Sequence, residues 1–402
     1  MRIVCRVISA DLSREAGKWQ VLLNDQRSHF YVTVFVASLG LGMNVYFIPV
    51  FAQSLGATFV DLGLIGTIWA LAATITPFLI GYLAVRMKHV WVYVLSLALN
   101  VFATVFLVLS RSVVDIMVLR FFGGMGIEAF WVIGEIMVTD LSPAEARVRE
   151  MGRYGVALVL GVLFGPLIGG LVVQTFGYVD LFIISTVIIG ISTVQAVAWL
   201  ISGYRTTETL HPKSFSGYMR IIKQLLPLYM MIICYGIIWG LITTIFPGYA
   251  NSMGVSAVLI GVLISAFGVA RIFSYATAHR YSRLGEMRTL LFFSLVIFVG
   301  LITISIFTTF ITLLVGIMLI GGAVGVVFPI TINIVSRNFP GERASAAVAS
   351  YETVINMGGT VGPYIFGLLT VITTIGRSFL LMSVFGIFMA LFAVKGTIKA
   401  RK

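Results

Sequence analysis

Residues 119–140 read LRFFGGMGIEAFWVIGEIMVTD. The stretch is apolar and of membrane-helix length, yet it carries Arg120, Glu128 and Glu135 in its interior. At about 100° per residue, Gly124, Glu128, Trp131 and Glu135 all fall within about 80° of Arg120 on one helix face. Each charge placed in hydrocarbon costs roughly 2.5–3.5 kcal/mol on insertion scales. The stripe is therefore expected to face a bundle interior or a water-filled cavity, which marks it as the candidate functional site.

Outward from this stretch the composition stays the same. The 402 residues are 59% hydrophobic and 10% charged, a balance that excludes a soluble domain. Twelve apolar runs are long enough to cross a bilayer as helices, at about 30–53, 60–85, 90–110, 112–138, 153–176, 178–201, 224–249, 256–277, 289–310, 311–336, 345–372 and 376–395. The loops after the even-numbered spans are basic, with Arg86, Arg149, Lys213, Arg283 and Arg337 among them, and the chain ends on Lys399, Arg401 and Lys402. The opposite loops hold only Arg111 and Arg377. The positive-inside rule thus predicts a multi-pass protein of the cell membrane with both termini in the cytoplasm. The net charge of +12 is distributed over those loops, so no nucleic-acid partner is expected. Two distant cysteines and four scattered histidines define no disulfide framework, metal site or cofactor. Residues 1–28 have no signal-peptide pattern and read as a cytoplasmic tail, with an interfacial helix on Ile3, Val4, Val7 and Ile8 as the alternative.

The longest polar interruption, SGYRTTETLHPKSFSGYMR at 202–220, divides the spans six and six. Across it the chain repeats itself. Pro49, Ala52, Ser54, Gly56 and Gly63 match Pro247, Ala250, Ser252, Gly254 and Gly261 at a constant offset of 198. Gly165-Pro166 matches Gly362-Pro363, and Arg86 matches Arg283, at an offset of 197. The expected organisation is an all-α membrane protein of two pseudo-symmetric six-helix bundles, 29–201 and 222–396, joined by a cytoplasmic linker at 202–221 and ending in a short tail at 397–402.

Span 5 carries GVLFGPLIGG, in which Gly161, Gly165, Pro166, Gly169 and Gly170 form a GxxxGPxxGG pattern. Glycines four apart strip side chains from one stripe and let a neighbouring helix approach. Span 11 has a shorter version in Gly358, Gly362 and Pro363. In span 4, Arg120, Gly124 and Gly126 form RxxxGxG. With the tandem halves, these motifs resemble the major facilitator superfamily, and within it the twelve-span drug:proton antiporter family. The resemblance implies a substrate site at mid-membrane between halves that rock against each other. It also implies that the span 5 motif packs against the other half and that RxxxGxG takes part in proton transfer. Burial and a neighbouring guanidinium act oppositely on a carboxyl's proton affinity, so Glu128, modulated by Arg120, is the expected proton carrier, with Glu135 beside it.

The sequence departs from the family in two places. Ala52 replaces the second proline of the span 1 motif. The loop after span 2, usually GxxxDRxGRR, has Val85 for the aspartate and Lys88 for the following glycine, which leaves Arg86 and Arg283 as the remaining candidates for a cytoplasmic gate. In the second half, Glu352 and Arg271 are placed to reach the cavity, Glu352 as a further proton-coupling candidate, and Tyr46, Phe47, Trp131, Tyr235, Trp239 and Phe246 are candidates for walls that bind amphipathic cations through aromatic faces. Asp61 and Asp115 sit at span ends and are expected to be solvated. No nucleotide-binding pattern is present, so energy is expected from a gradient of protons, or of sodium, which the same carboxylates serve. Export of small hydrophobic or amphipathic compounds is the first expectation. Proton-coupled uptake of a sugar, organic acid or other nutrient is the second, and it asks for more hydrogen-bonding side chains than Asn44, Thr67, Thr243 and Thr244 supply. A membrane receptor or enzyme is the third, and no catalytic constellation supports it.

Overall fold

A computed structural model describes residues 26–142, 146–201, 222–282, 285–339 and 343–399. Arg283, the linker 202–221, residues 1–25 of the expected N-terminal tail and residues 400–402 of the C-terminal one lie outside the described residues. Within them, twelve helices are long and apolar enough to cross a membrane. They are α1 (Arg27–Ser54), α2 (Phe59–Ala84), α3 (His89–Leu107), α4 (Val113–Leu141), α5 (Arg149–Thr175) and α6 (Tyr178–Ala198). The second half supplies α7 (Leu226–Ser252), α8 (Ala257–Tyr281), α9 (Glu286–Ile306), α10 (Phe310–Asn338), α11 (Ser350–Ile372) and α12 (Ile375–Lys395).

The boundaries follow from local chemistry. Asp61 and Asp115 are not merely solvated: with Thr58 and Ser112 each completes a capping box that satisfies the first free amides of α2 and α4. Thr309, in the shortest predicted break, accepts from the Thr312 amide and starts α10. The large apolar residues left exposed, such as Leu109, Val118, Phe273 and Ile372, form the surface expected of helices that face lipid.

Packing obeys the repeat. α1 lies on α5 and α6 as α7 lies on α11 and α12; α4 lies on α2 and α3 as α10 lies on α8 and α9. The halves meet along two seams, α2 with α11 and α5 with α8, which are likewise counterparts. Glycine makes both possible. A Cβ on Gly63 would sit 2.5 Å from the Pro363 carbonyl oxygen, and its counterpart Gly261 is equally blocked by the Pro166 carbonyl. Gly170 abuts the Ala257 carbonyl at 2.5 Å, and Gly367 the Phe59 carbonyl at 3.0 Å, by the same measure.

The expectation for the span 5 motif needs correction here. Gly161, Gly165 and Gly169 face α1 of their own half, at Ser38, Gly42 and Met43. Only Pro166 and Gly170 face the other half. The reason is the helical period: Gly161, Gly165 and Gly169 share one stripe, while Pro166 and Gly170 lie one residue, about 100°, around the helix. Gly358 and Gly362 against α7, with Pro363 against α2, repeat the division.

α1 and α7 are both irregular at matching points. α1 breaks into a turn at residues 46–47 and resumes at Ile48–Ser54. α7 passes through a π-helical segment, Leu241–Ile245, before Phe246–Ser252. Pro49 and Pro247, each near the start of the resumed helix, have no amide hydrogen to bond the turn before them.

Candidate functional site

Between the halves lies a cavity of about 300 Å³. The helix ends carrying Arg86, Arg149, Arg280 and Arg337 define one side of the molecule, here the basic side. Close approaches between the halves cluster at mid-helix and beyond, toward the other side. There Asn251 donates to the Gln53 side-chain oxygen at 2.9 Å, and Gln53 donates to the Gly248 carbonyl at 3.1 Å. Gln53 and Asn251 are themselves 198 residues apart, so repeat-equivalent positions clasp each other, as positions beside a two-fold axis do.

α4 brings its charged stripe to this cavity. Glu128 and Glu135 both line it, as does Glu352 from α11 of the other half. Glu128, midway along α4, is 6% exposed, whereas Glu135, two turns nearer the basic side, is exposed. Solvent thus reaches the cavity from the basic side and thins out toward Glu128. Asn356, one turn beyond Glu352, donates to Glu128 across the interface at 3.4 Å. Three carboxyls, contributed by both halves, thus share one cavity.

The two cations of the cavity differ. Arg271 donates twice to the Tyr275 hydroxyl, from Nε at 3.1 Å and Nη2 at 2.7 Å, and lies 4.6 Å from the Trp239 ring centre. It is held inside the cavity rather than drawn out to the interface. Arg120 is 4% exposed, lies 5.4 Å from the Trp69 ring centre, and its Nε has no hydrogen-bond partner. No ion pair joins Arg120 to Glu128 or Glu135 among the described residues. Eight residues of helix separate Arg120 from Glu128 by about 12 Å of rise. The glycines of RxxxGxG act on packing: Gly124 admits the Trp69 backbone and Gly126 the Asn100 side chain.

Of the aromatic candidates, Tyr46, Trp131, Tyr235 and Trp239 line the cavity. Phe47 and Phe246 do not; both are fully buried in the core. Trp69, Phe267, Tyr275 and Phe328 line it instead. Asn356 and Tyr275 were findable in the sequence: each lies four residues after a cavity charge, on the same helix face.

At the candidate gate, Arg86 is exposed and turns back onto Tyr82 of its own helix, hydrogen-bonded to the hydroxyl and 3.9 Å from the ring centre. The polar contact beneath this loop is another one. His89 Nδ1 meets Asp140 Oδ2 at 2.5 Å, with both side chains buried, and ties the start of α3 to the end of α4. Glu150 gathers Tyr31, Arg149 and Arg153 at the α1–α5 corner, and Arg337 pairs with Glu286 at 2.9 Å. Each of these contacts stays within one half.

Comparison with known proteins agrees with this architecture. The family model described as Major Facilitator Superfamily matches residues 30–310 and again 228–400. An uncharacterised MFS-type transporter of Methanocaldococcus jannaschii is 22% identical over 374 residues, covering 89% of this chain and 94% of that protein. The quinolone resistance protein NorA of Staphylococcus aureus is 24% identical over 366 residues, covering 86% of this chain and 90% of NorA. Among solved structures, a bacterial homologue of the human lysosomal transporter Spinster, inward-facing and unoccupied, superposes with a TM-score of 0.75 at 12% identity, covering 93% of this chain and 95% of its own. The nucleoside transporter NupG gives 0.76 at 13% identity, covering 92% and 98%.

Proposed function

The chain belongs to the Major Facilitator Superfamily, and from that membership we propose a secondary active transporter that exports small hydrophobic or amphipathic compounds, cations above all, in exchange for protons. The observation that carries the reading is the convergence of Glu128 and Glu135 from one half and Glu352 from the other on a single aromatic-walled cavity. Carboxylates offered by both halves let a proton and an organic cation compete for the same charge while the halves change their relation. Trp131, Tyr235 and Trp239 supply broad apolar faces with affinity for cations and little demand for a particular shape. The kinship with a quinolone resistance protein points the same way.

The positive-inside rule, applied to the basic loops, supports a cytoplasmic location for the basic side. The cavity then opens inward, and the glycine seams with the Gln53–Asn251 clasp close the outer side. Each cycle opens that seal and closes the cytoplasmic ends. His89–Asp140 would hold one of those ends rigid as it moves, in place of the usual loop aspartate.

Purified protein in proteoliposomes with an imposed pH gradient tests the reading. Lipophilic cations are expected to drive proton release, and Glu128→Gln to lower it at least about tenfold while the cation still binds. Gradient-driven accumulation of a sugar or organic acid, with no response to lipophilic cations, would overturn export in favour of nutrient uptake. A sodium gradient replacing the proton gradient would reassign the coupling ion.

A further inference from the structure

We propose that Arg120 holds a small monovalent anion of halide size in a side cavity off the main one. The side cavity has about 20 Å³, enclosed by α1, α3 and α4, and Asn44, Asn100, Thr104 and Arg120 line it. A space above roughly 10–15 Å³ takes one particle the size of water. All four side chains are buried.

The charge of this compartment is one-sided. Arg120 is its only ionisable lining residue, and no carboxylate lies within 4 Å of the guanidinium among the described residues. A buried charge without a partner is rare in proteins; it is paired or it binds an ion. The hydrogen-bond inventory also points to an anion. Arg120 Nε is a buried donor with nothing to bond. Asn44 gives one amide hydrogen to Thr104 Oγ1 at 3.3 Å, which leaves its second amide hydrogen and the Thr104 hydroxyl hydrogen free. Asn100 gives one to the Ser96 carbonyl at 2.9 Å and likewise keeps one. The side chains that carry these donors, one of them bearing a full positive charge, line the same small space. A water molecule would satisfy some donors but leave the charge uncompensated; a halide does both.

Arg120 lines the main cavity as well, so the anion would sit between the transport site and the core of the first half. An anion there gives the arginine the counter-charge that Glu128, about 12 Å of helix rise away, does not supply. It frees Glu128 for other work. The inference concerns binding alone and stands whether or not proton-coupled export is correct.

The test uses the full-length protein, purified without halide in gluconate buffer and titrated with sodium chloride or bromide at constant ionic strength. A saturable rise in thermal unfolding temperature is expected with both halides, relative to gluconate. Crystals grown in bromide are expected to show an anomalous peak beside Arg120. Thr104→Val, which removes one donor and adds no charge, is expected to raise the half-saturating halide concentration about tenfold, the loss of one charge-assisted hydrogen bond of about 1.4 kcal/mol. Arg120→Gln is expected to abolish the response; where that variant fails to fold, the threonine variant and the bromide peak decide. Equal stability in halide and gluconate, a water with no anomalous signal in the side cavity, or a halide response untouched by Thr104→Val would overturn the proposal.

Discussion

The seams that join the halves and the walls of the cavity between them follow opposite rules. The seams are duplicated almost contact for contact. Gly63 meets the Pro363 carbonyl and Gly261 the Pro166 carbonyl, and Gly170 and Gly367 take matching places at their ends. The charges of the cavity walls are not duplicated. One half contributes Arg120, Glu128 and Glu135 from α4, and the other Arg271 from α8 and Glu352 from α11. The proposed cycle would need two equivalent bearings, because in it the halves turn on both at once. Chemistry needs one site, and a second copy of each charge would add only desolvation cost. Repetition therefore survives where the constraint is steric and is lost where it is electrostatic.

The duplicated seams predict the largest effects. Gly63→Leu and Gly261→Leu each push a side chain into opposing backbone, an overpacking of about 1–3 kcal/mol that falls on the closed outer side alone. Both variants are expected to insert and to lose most transport, with the outer side open roughly five- to hundredfold more often, read by cysteine labelling from outside. Equal losses sharpen the equivalence of the seams. Full activity in either one breaks it.

Next come the unduplicated walls. Glu128→Gln is expected to lower substrate-driven proton release at least about tenfold, and Glu352→Gln to lower it less, since Arg271 faces the same cavity from that half. Binding of a lipophilic cation by the unmodified protein is expected to weaken as pH falls, because protons then occupy the carboxylates that attract it. Glu128→Gln flattens that slope. Identical slopes in the variant and the parent would move the charge competition to another residue.

Smaller still is the clasp. Gln53→Leu removes two hydrogen bonds of about 1 kcal/mol each and shifts the outer tips toward separation by several-fold, measured by spin-label distances across them. Adding Asn251→Leu is expected to cost less than the sum of the single changes, since both act on one bond. Arg86→Ala closes the series with a change within about 0.5 kcal/mol in stability and none in transport, because its guanidinium is exposed and bound to its own helix.

Much of the fold was legible because apolar length and an offset of 198 are one-dimensional signals. The α4 stripe was legible for the same reason: helical period converts spacing into direction. What spacing along one helix conceals is reach. Arg120 and Glu128 share a face but lie too far apart along it to pair, and the partner that does reach Glu128, Asn356, is 228 residues away. His89 and Asp140, 51 residues apart, join helix ends whose meeting depends on bundle geometry. Phe47 and Phe246 were candidates for the cavity wall by residue type alone, and type does not say which way a ring faces. The clasp of Gln53 and Asn251 was half visible, since the repeat aligned the two positions without saying that they touch.

The irregular turns of α1 and α7 bear on how the side away from the basic ends would open in the proposed cycle. Ile48–Ser54 and Phe246–Ser252 are seven-residue fingertips, each mounted on a knuckle where the regular ladder of backbone bonds is already interrupted. Bending a knuckle sacrifices fewer bonds than bending a shaft. In the proposed cycle the tips that bear the clasp tilt apart ahead of the massive bodies behind them, so that a small solute would pass before the whole molecule had swung.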